Sequence, residues 1–297
     1  MDNLNGIKKL DVGEIQTNVD LKTITSYKLK GKAKMLVLPS SCDKLVTLLK
    51  YLHKNKIKFK IIGKCSNLIF VNDFDGVLIR LDCLNNLEID DTKITVGAGY
   101  SLMKLALKLS RMGYAGLEFA SGIPGSVGGA VYMNAGAYKS DMGYIVKSVK
   151  LLSPKYEVVE FSNAEMDFHY RTSFLQSHKD YICLEATLVL KHGNENEIMQ
   201  LIEDRKKRRI ETQPLEYPSA GSVFRNPPDD YAGRLIEEAG LKGYSINDAL
   251  VSEKHANFIV NAGNASGKDI KCLIDKIKKS VKEKFDIDLK VEQEIVE

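Results

Sequence analysis

No run of 18 apolar residues occurs anywhere in this 297-residue chain, and its first ten residues show no basic segment leading into an apolar one. The first absence argues against a membrane-spanning helix and the second against a secretory signal, so a cytoplasmic protein with no membrane partner is expected. The five cysteines (Cys42, Cys65, Cys83, Cys183 and Cys272) are scattered without a C-x-x-C pair, and the five histidines form no H-x-H or H-E-x-x-H arrangement. A disulfide framework and a Cys/His zinc site are therefore not expected; the thiols read as reduced and mostly buried, and no metal is called for. A formal charge of +4 falls short of the basic excess of a nucleic-acid binder, so no nucleic-acid partner is expected. The basic run Arg205-Lys206-Lys207-Arg208-Arg209 has no aromatic platform beside it. It reads as the wet end of a helix, with a role near a diphosphate as the alternative. Internal repeats and low-complexity segments are also missing.

A hydrophobic fraction of 44% and a charged fraction of 28% suit a globular protein with a sizeable core. The length exceeds the ~100–200 residues of one domain, which predicts two or three packed units. Leu36–Leu38 reads as a strand, followed by a helix with Leu45, Val46, Leu48, Leu49 and Leu52 at helical spacing, then strands over 59–62 and 68–71. That is a small α/β unit. Beyond Gly76 the strands 77–81, 94–96, 149–152 and 184–190, with a helix over 102–112, read as a second unit. A helix over 196–210 is broken by Gln213-Pro214 and Tyr217-Pro218. The remainder holds a short helix (231–239), a strand (258–260) and a long helix from Lys268 to about Phe285, opened by the capping signal Ser266-Gly267-Lys268-Asp269. A terminal strand over 289–296 completes it. The division that follows is residues 1–82, 83–195 and 196–297.

Ser121-Gly122-Ile123-Pro124-Gly125-Ser126-Val127-Gly128-Gly129-Ala130 carries four glycines in eight positions and almost no side-chain bulk. Such a backbone lets N–H groups approach an anion such as a dinucleotide pyrophosphate, or else lets chain segments pack closely; the residues alone leave both readings open. It is neither the strand-GxGxxG-helix fingerprint nor a P-loop. Gly63-Lys64-Cys65-Ser66-Asn67, between two strands, offers hydroxyl and amide groups to a phosphate or ribose, though β-turns use the same residue types. Arg171, in Tyr170-Arg171-Thr172-Ser173, is suited to holding a carboxylate bidentately, with a pairing to Asp167 as the commoner fate. Ser222 sits among small residues on a tight turn, outside any G-x-S-x-G elbow; read alone, it closes the turn. Glu292 reads alone as part of a solvated strand face.

Taken in order, these blocks resemble the UDP-N-acetylenolpyruvoylglucosamine reductase family. The resemblance runs from about Asn18 to Ile295. It is carried by Gly116–Phe119, Gly122–Gly129, Met133-Asn134-Ala135-Gly136-Ala137-Tyr138 and Tyr170-Arg171, then Gln213-Pro214-Leu215, Gly221-Ser222-Val223-Phe224-Arg225-Asn226-Pro227, Ala239–Gly243, Lys254-His255-Ala256-Asn257-Phe258 and Glu292. The chain is similar to the family's shorter type, with no room after Tyr170-Arg171 for a tyrosine-bearing insertion. The resemblance implies an α+β architecture: an FAD-binding fold of the vanillyl-alcohol-oxidase-like (PCMH) type in two α/β subdomains, and a C-terminal α+β domain for the UDP-sugar.

It also implies FAD as cofactor, NADPH as co-substrate and UDP-N-acetylglucosamine enolpyruvate as the molecule reduced, by a monomer in peptidoglycan precursor synthesis. Arg171, Ser222 and Glu292 are the implied catalytic residues, with Ser222 giving the proton. Gly63, Lys64, Cys65, Ser66, Asn67, Gly122, Ile123, Pro124, Gly125, Ser126, Gly128 and Gly129 are implied to hold FAD, and Tyr138, Tyr170, Arg225 and Asn226 the nucleotide sugar. Three positions depart from the family pattern: Lys30 before Gly31 in place of a glycine pair, Lys64-Cys65 in the flavin turn's G-x-G-S-N, and Asn247 in place of glycine after Ile246. A side chain at Cys65 is expected to crowd the pyrophosphate or strain a glycine-type dihedral, at about 1–2 kcal/mol. The competing functions are a related FAD-dependent oxidase and a flavin-free or weakly active UDP-sugar-binding paralogue.

Overall fold

In the computed structural model, which describes residues 3–297 with the side chain of Asn3 left aside, two compact units are built from interleaved pieces of the chain. The first comprises the chain up to Thr17, Met35–Lys64 and Gly76–Lys206; the second comprises Asn18–Lys34, Cys65–Asp75 and Lys207–Glu297. No helix among the described residues is long and apolar enough to cross a membrane.

The first unit has two cores. Helix Cys42–Lys54 starts at Ser41, whose hydroxyl accepts from the Lys44 N–H, and its three-and-four spacing puts Leu45, Leu48, Leu49 and Leu52 on one buried face. Each such leucine contributes about 1.5–3 kcal/mol of hydrophobic stabilisation. They pack with Val37, Val77, Ile79, Ile182 and Leu184. The four-stranded sheet there runs in the order Gly13–Asp20, Lys32–Pro39, Phe74–Arg80, Phe59–Ile62, the last two parallel with Phe59 opposite Val77. The second core lies on a five-stranded antiparallel sheet, in the order Val158–Ser162, Val146–Leu152, Ile182–Val189, Lys93–Gly97, Leu87–Asp90. Against it sit helix Leu102–Arg111, through Leu102, Leu105, Ala106 and Leu109, and helix Val127–Met133, through Val127, Ala130 and Val131.

The second unit is organised by helix Gly267–Phe285. Its capping box is formed at both ends, Ser266 accepting from the Asp269 N–H and Asp269 accepting from the Ser266 N–H, as the S-x-x-D signal predicts. Ile270, Leu273, Ile274, Ile277 and Val281 line its buried face. Gly267 is required by close approach, since a Cβ there would overlap the Phe70 carbonyl. Beside the helix lie the antiparallel strands Ser245–Ile246, Ala249–Val251 and Ile259–Asn261, and the parallel pair Leu68–Phe70 with Glu294–Val296.

Asn247 begins the two-residue loop between the first two of those strands, with φ +50°. Asparagine tolerates the left-handed region better than most residues, and this one donates to Asp269 Oδ1 at 2.7 Å, so the glycine of the family pattern is replaced without loss of the turn. Lys30 pairs with Ser266 through an isolated bridge, while Gly31 keeps the φ of +140° that only glycine takes readily.

Three local expectations differ from the structure. Strand Gly13–Asp20 escapes a periodicity reading because only Val19 in it is buried. The glycine-rich stretch is a loop only as far as Ser126, where helix Val127–Met133 begins and takes up Gly128 and Gly129. The terminal strand is Glu294–Val296 alone; before it, residues 290–292 pair with 223–225, which turns them away from the Leu68–Phe70 ladder.

Candidate active site

Several N–H groups of the Gly122–Ala130 segment are already engaged. Ile123 donates to the Ala120 carbonyl, Val127 to Tyr100, and Gly128 to Ala98 at 2.8 Å. Gly129 donates to the Ser126 hydroxyl at 3.3 Å, which caps the helix. A Cβ on Gly128 would stand 2.9 Å from the Ala98 Cβ, so this glycine serves close packing. The N–H groups of Gly122, Gly125 and Ser126 have no protein acceptor among the described residues. Gly63 lies against the same point, since a Cβ on it would stand 2.6 Å from Ser126 Oγ. Open backbone donors beside a surface kept bare by glycine are the donor set a pyrophosphate needs, and the residues present fit that part of a flavin dinucleotide. Lys64 is held aside by its ion pair to Asp82 at 3.1 Å, a carboxylate shared with Arg80.

Within the same unit, Tyr138 and Lys139 form the two-residue loop of a hairpin between Gly136–Ala137 and Ser140–Asp141, both with positive φ (+55° and +61°). Neither is a glycine, and each such residue costs about 1–2 kcal/mol. The turn is held by Arg205, whose guanidinium lies 4.5 Å above the Tyr138 ring while its carbonyl accepts from the Tyr138 hydroxyl at 3.3 Å. Arg171 also takes positive φ (+56°) and donates from Nη2 to the Gly136 carbonyl at 2.7 Å, at the foot of that hairpin. The Gln176 amide fixes the Arg171 carbonyl at 2.8 Å. Asp167, the sequence-level candidate for a partner of Arg171, accepts instead from His169 at 2.9 Å. Tyr170 is half exposed beside the Arg171 guanidinium, 5.0 Å from its ring centroid.

In the second unit, Ser222 is held from both sides. On one side, Val223 donates to the Asn257 carbonyl, and the Asn257 side chain both accepts from the Phe224 N–H (2.9 Å) and donates to the Phe224 carbonyl (2.8 Å). On the other, Glu292 N–H donates to the Val223 carbonyl at 2.8 Å and Arg225 N–H to the Lys290 carbonyl. The buried Gln293 amide donates to the carbonyls of Ala220, Gly221 and Ser222 at 3.0, 3.1 and 3.4 Å. Asn67 of the other candidate flavin segment joins in, its amide on the Glu292 carbonyl at 3.2 Å. The Ser222 hydroxyl itself has no protein partner among the described residues. Asn226 uses its side-chain oxygen to accept from the Ala232 N–H, tying it to the start of helix Ala232–Glu238. His255 is pushed below the ordinary histidine range by burial; neutral, its Nδ1 accepts from the Asn257 N–H at 3.2 Å.

Asn67, Ser222, Arg225 and Glu292 are thus gathered in one unit by a backbone ladder, while Gly63, Ser126, Tyr138 and Arg171 belong to the other. A family model described as UDP-N-acetylenolpyruvoylglucosamine reductase, C-terminal domain, matches residues 213–296, and an FAD binding domain model matches residues 33–162. The UDP-N-acetylenolpyruvoylglucosamine reductase of Bacillus subtilis (strain 168) is 46% identical over 292 residues, which is 98% of this chain and 96% of its own. That of Anoxybacillus flavithermus is 48% identical over 289 residues, 96% and 95% of the two chains. The chain belongs to the UDP-N-acetylenolpyruvoylglucosamine reductase family. The crystal structure of the reductase MurB from Thermus caldophilus, 33% identical, superposes with a TM-score of 0.81 over 96% of this chain and 98% of its own.

Membership of the UDP-N-acetylenolpyruvoylglucosamine reductase family makes the protein an FAD-dependent reductase of peptidoglycan precursor synthesis, and bears out the α+β flavin-binding fold expected from the sequence. Residue-level reading passed over Gln293 and the individual role of Arg205. Gln293 had a signal: alternation puts it on the side of Val291 and Ile295, and a polar residue on an apolar side asks for a buried partner. Asn257 was seen only as one letter of a matching block.

Proposed function

We propose that the chain reduces UDP-N-acetylglucosamine enolpyruvate to UDP-N-acetylmuramate at the expense of NADPH, with Arg171, Ser222 and Glu292 as its catalytic residues. FAD, when bound, would supply the hydride chemistry, with NADPH as the source of the hydride and the terminal carbon of the enolpyruvyl ether as its destination. Residues 1–82 and 83–195 are read as the flavin-holding subdomains and 196–297 as the substrate domain, in keeping with the stretches matched by the two family models.

The observation that carries the reading is the Ser222 turn. Its carbonyl and those before it are taken up by Gln293, and the next residue is bonded to the backbone of Asn257 on one side and Glu292 on the other, leaving a hydroxyl without a protein partner on a backbone tied on both sides. Such a hydroxyl is suited to one task, proton transfer at a fixed place. As hydride reaches the terminal carbon, electron density moves to the carbon bearing the carboxylate. Arg171 faces that growing charge, an electrostatic role worth about 3–4 kcal/mol for one good donor. Ser222 gives its proton to that carbon and is reprotonated from solvent. Glu292 acts protonated or through the arginine, since a bare carboxylate would repel the anion. The N–H groups of Gly122, Gly125 and Ser126 hold the dinucleotide pyrophosphate, and Tyr138, Tyr170, Arg225 and Asn226 the nucleotide sugar. The protein works as a cytoplasmic monomer.

The test is NADPH oxidation on adding the enolpyruvyl UDP-sugar to FAD-loaded protein, with Ser222→Ala beside it. The expected result is a yellow protein that NADPH bleaches and the sugar recolours, and a variant slowed in recolouring by about a thousandfold. Full turnover by Ser222→Ala removes the serine from its role. A protein that stays colourless after soaking in FAD points to a UDP-sugar-binding paralogue.

A further inference from the structure

Gln293 is 4% exposed and Tyr27 is fully buried, and the two are hydrogen-bonded, the tyrosine hydroxyl donating to Gln293 Oε1 at 2.9 Å. Neither bonds a catalytic side chain, Gln293 reaching Ser222 only at its backbone carbonyl, and neither is used in the chemistry above. Their arrangement is nevertheless directed at one place. The three successive carbonyls of Ala220, Gly221 and Ser222 converge on the single Gln293 amide nitrogen. Three carbonyl oxygens brought to one point repel one another, and away from water each needs a donor. One amide NH2 shares its two N–H groups among the three oxygens, so the curl of the turn depends on it.

The orientation of that amide is set from behind. Were the amide flipped, its own carbonyl would face the three others, and its nitrogen would face the tyrosine oxygen. Tyr27, whose phenol burial pushes up and keeps protonated, supplies a donor on the far side and holds the oxygen there. Gly221 completes the design. It takes φ +77° with nothing within 4 Å of where a Cβ would be, so glycine stands there for the backbone angle and not for space. The chain of contacts therefore runs Tyr27, Gln293, then the turn whose last residue is Ser222, and among the described residues no other side chain bonds these carbonyls.

We propose that Gln293, oriented by Tyr27, is a positioning residue that aims the Ser222 hydroxyl at the substrate carbon by gathering the carbonyls of residues 220–222. It acts through Ser222 and on nothing else in the reaction. The proposal rests on the proton-donor reading of Ser222, and its consequences are confined to the half of the cycle in which a proton is delivered. Removing the amide lets the turn relax, and a displacement of the order of 1 Å in a proton donor costs up to about a hundredfold in rate.

The experiment separates the two half-reactions on the FAD-loaded enzyme by stopped flow: bleaching by NADPH, and recolouring by the enolpyruvyl UDP-sugar. Gln293→Leu keeps the volume and removes the donors; Tyr27→Phe removes only the hydroxyl behind them and serves where Gln293→Leu fails to fold. Recolouring is expected to slow about 10- to 100-fold in Gln293→Leu and about threefold in Tyr27→Phe, with bleaching unchanged and the half-saturating sugar concentration within about twofold of the parent. In the Ser222→Ala background neither substitution is expected to slow recolouring further, because the group they aim is gone. Amide exchange over residues 218–226, measured on the protein without substrate, is expected to speed up in both variants. Equal slowing of bleaching and recolouring, or a further loss on top of Ser222→Ala, would make Gln293 merely structural and overturn the proposal, as would unchanged exchange over 218–226. Full recolouring by Ser222→Ala alone would instead defeat the proton-donor reading beneath it.

Discussion

The segment Gly122–Gly129 and the segment Ala220–Ser222 are both built of glycine, serine and small residues, yet their carbonyls are held in different ways, by backbone in the first and by a side chain in the second. In the first, the Gly125 and Ser126 carbonyls accept from the backbone N–H groups of Leu102 and Ala130, and the open groups include the N–H donors of Gly122, Gly125 and Ser126. In the second, the carbonyls are gathered by a side chain, the Gln293 amide, the following N–H groups of Val223, Phe224 and Arg225 are paired, and the Ser222 hydroxyl has no protein partner among the described residues. A loop with bare donors is suited to an anion; a turn whose carbonyls and following residues are tied down presents a hydroxyl at a defined place. Composition alone does not distinguish the two, because the difference lies in what packs against them.

The sharpest way to break the contrast is Asn257→Ala. The Asn257 side chain pairs with both backbone groups of buried Phe224, as a neighbouring strand would. Its removal leaves a buried donor and a buried acceptor unmet at about 1–3 kcal/mol each, so a loss of about 3 kcal/mol is expected in a urea melt of the flavin-free protein. A loss under about 1 kcal/mol would mean that the turn is held mainly by the Glu292 side of the ladder.

A smaller effect separates two adjacent glycines of the first segment. A Cβ on Gly128 meets the Ala98 Cβ at 2.9 Å and the Ala98 carbonyl at 3.2 Å, both belonging to a neighbouring stretch that cannot rotate away. Gly128→Ala is expected to cost about 1–3 kcal/mol as overpacking. A Cβ on Gly129 meets only Ser126 Oγ, at 3.4 Å, and the position is helical, so Gly129→Ala is expected to gain about 0.5–1 kcal/mol. Equal effects of the two substitutions would show that helix propensity, and not contact with Ala98, governs both.

Much of this was legible beforehand, and the reasons differ by region. The amphipathic helices over 42–54, 102–111 and 267–285 were readable because their apolar spacing is a local property and their caps Ser41, Ser101 and Ser266 stand at the right offset. The interleaving of the two units was not, since residues 18–34 and 65–75 join a unit whose main body begins at Lys207, and no local pattern encodes pairing over such distances. Ser222 by itself looked like a turn residue; its place between Asn257 and Gln293 comes from residues 35 and 71 positions away. The identities of Ser66 and Asn67 suggested a ligand turn, whereas Asn67's bond to the Glu292 carbonyl depends on a segment 225 positions away, just before the last strand.

The smallest expected effect concerns Cys65, which lies with Ser66 and Asn67 in the second candidate flavin segment. It is 3% exposed and takes φ +51°, the glycine-type dihedral that the sequence comparison with the family's G-x-G-S-N turn anticipated. Its carbonyl accepts from the Ser26 N–H at 3.3 Å, which holds the residue in that conformation from outside. Cys65→Gly and Cys65→Ala both delete the thiol and the contacts it makes, and they differ only in whether a Cβ remains in the left-handed region. That Cβ costs about 1–2 kcal/mol, against about 0.5–1 kcal/mol for the extra freedom glycine has when unfolded, so the glycine variant should be the more stable by about 1 kcal/mol in thermal melts of flavin-free protein. If the alanine variant matches it, the Ser26 contact is not imposing a strained angle, and this turn, like that of Ser222, is held at ease by its surroundings.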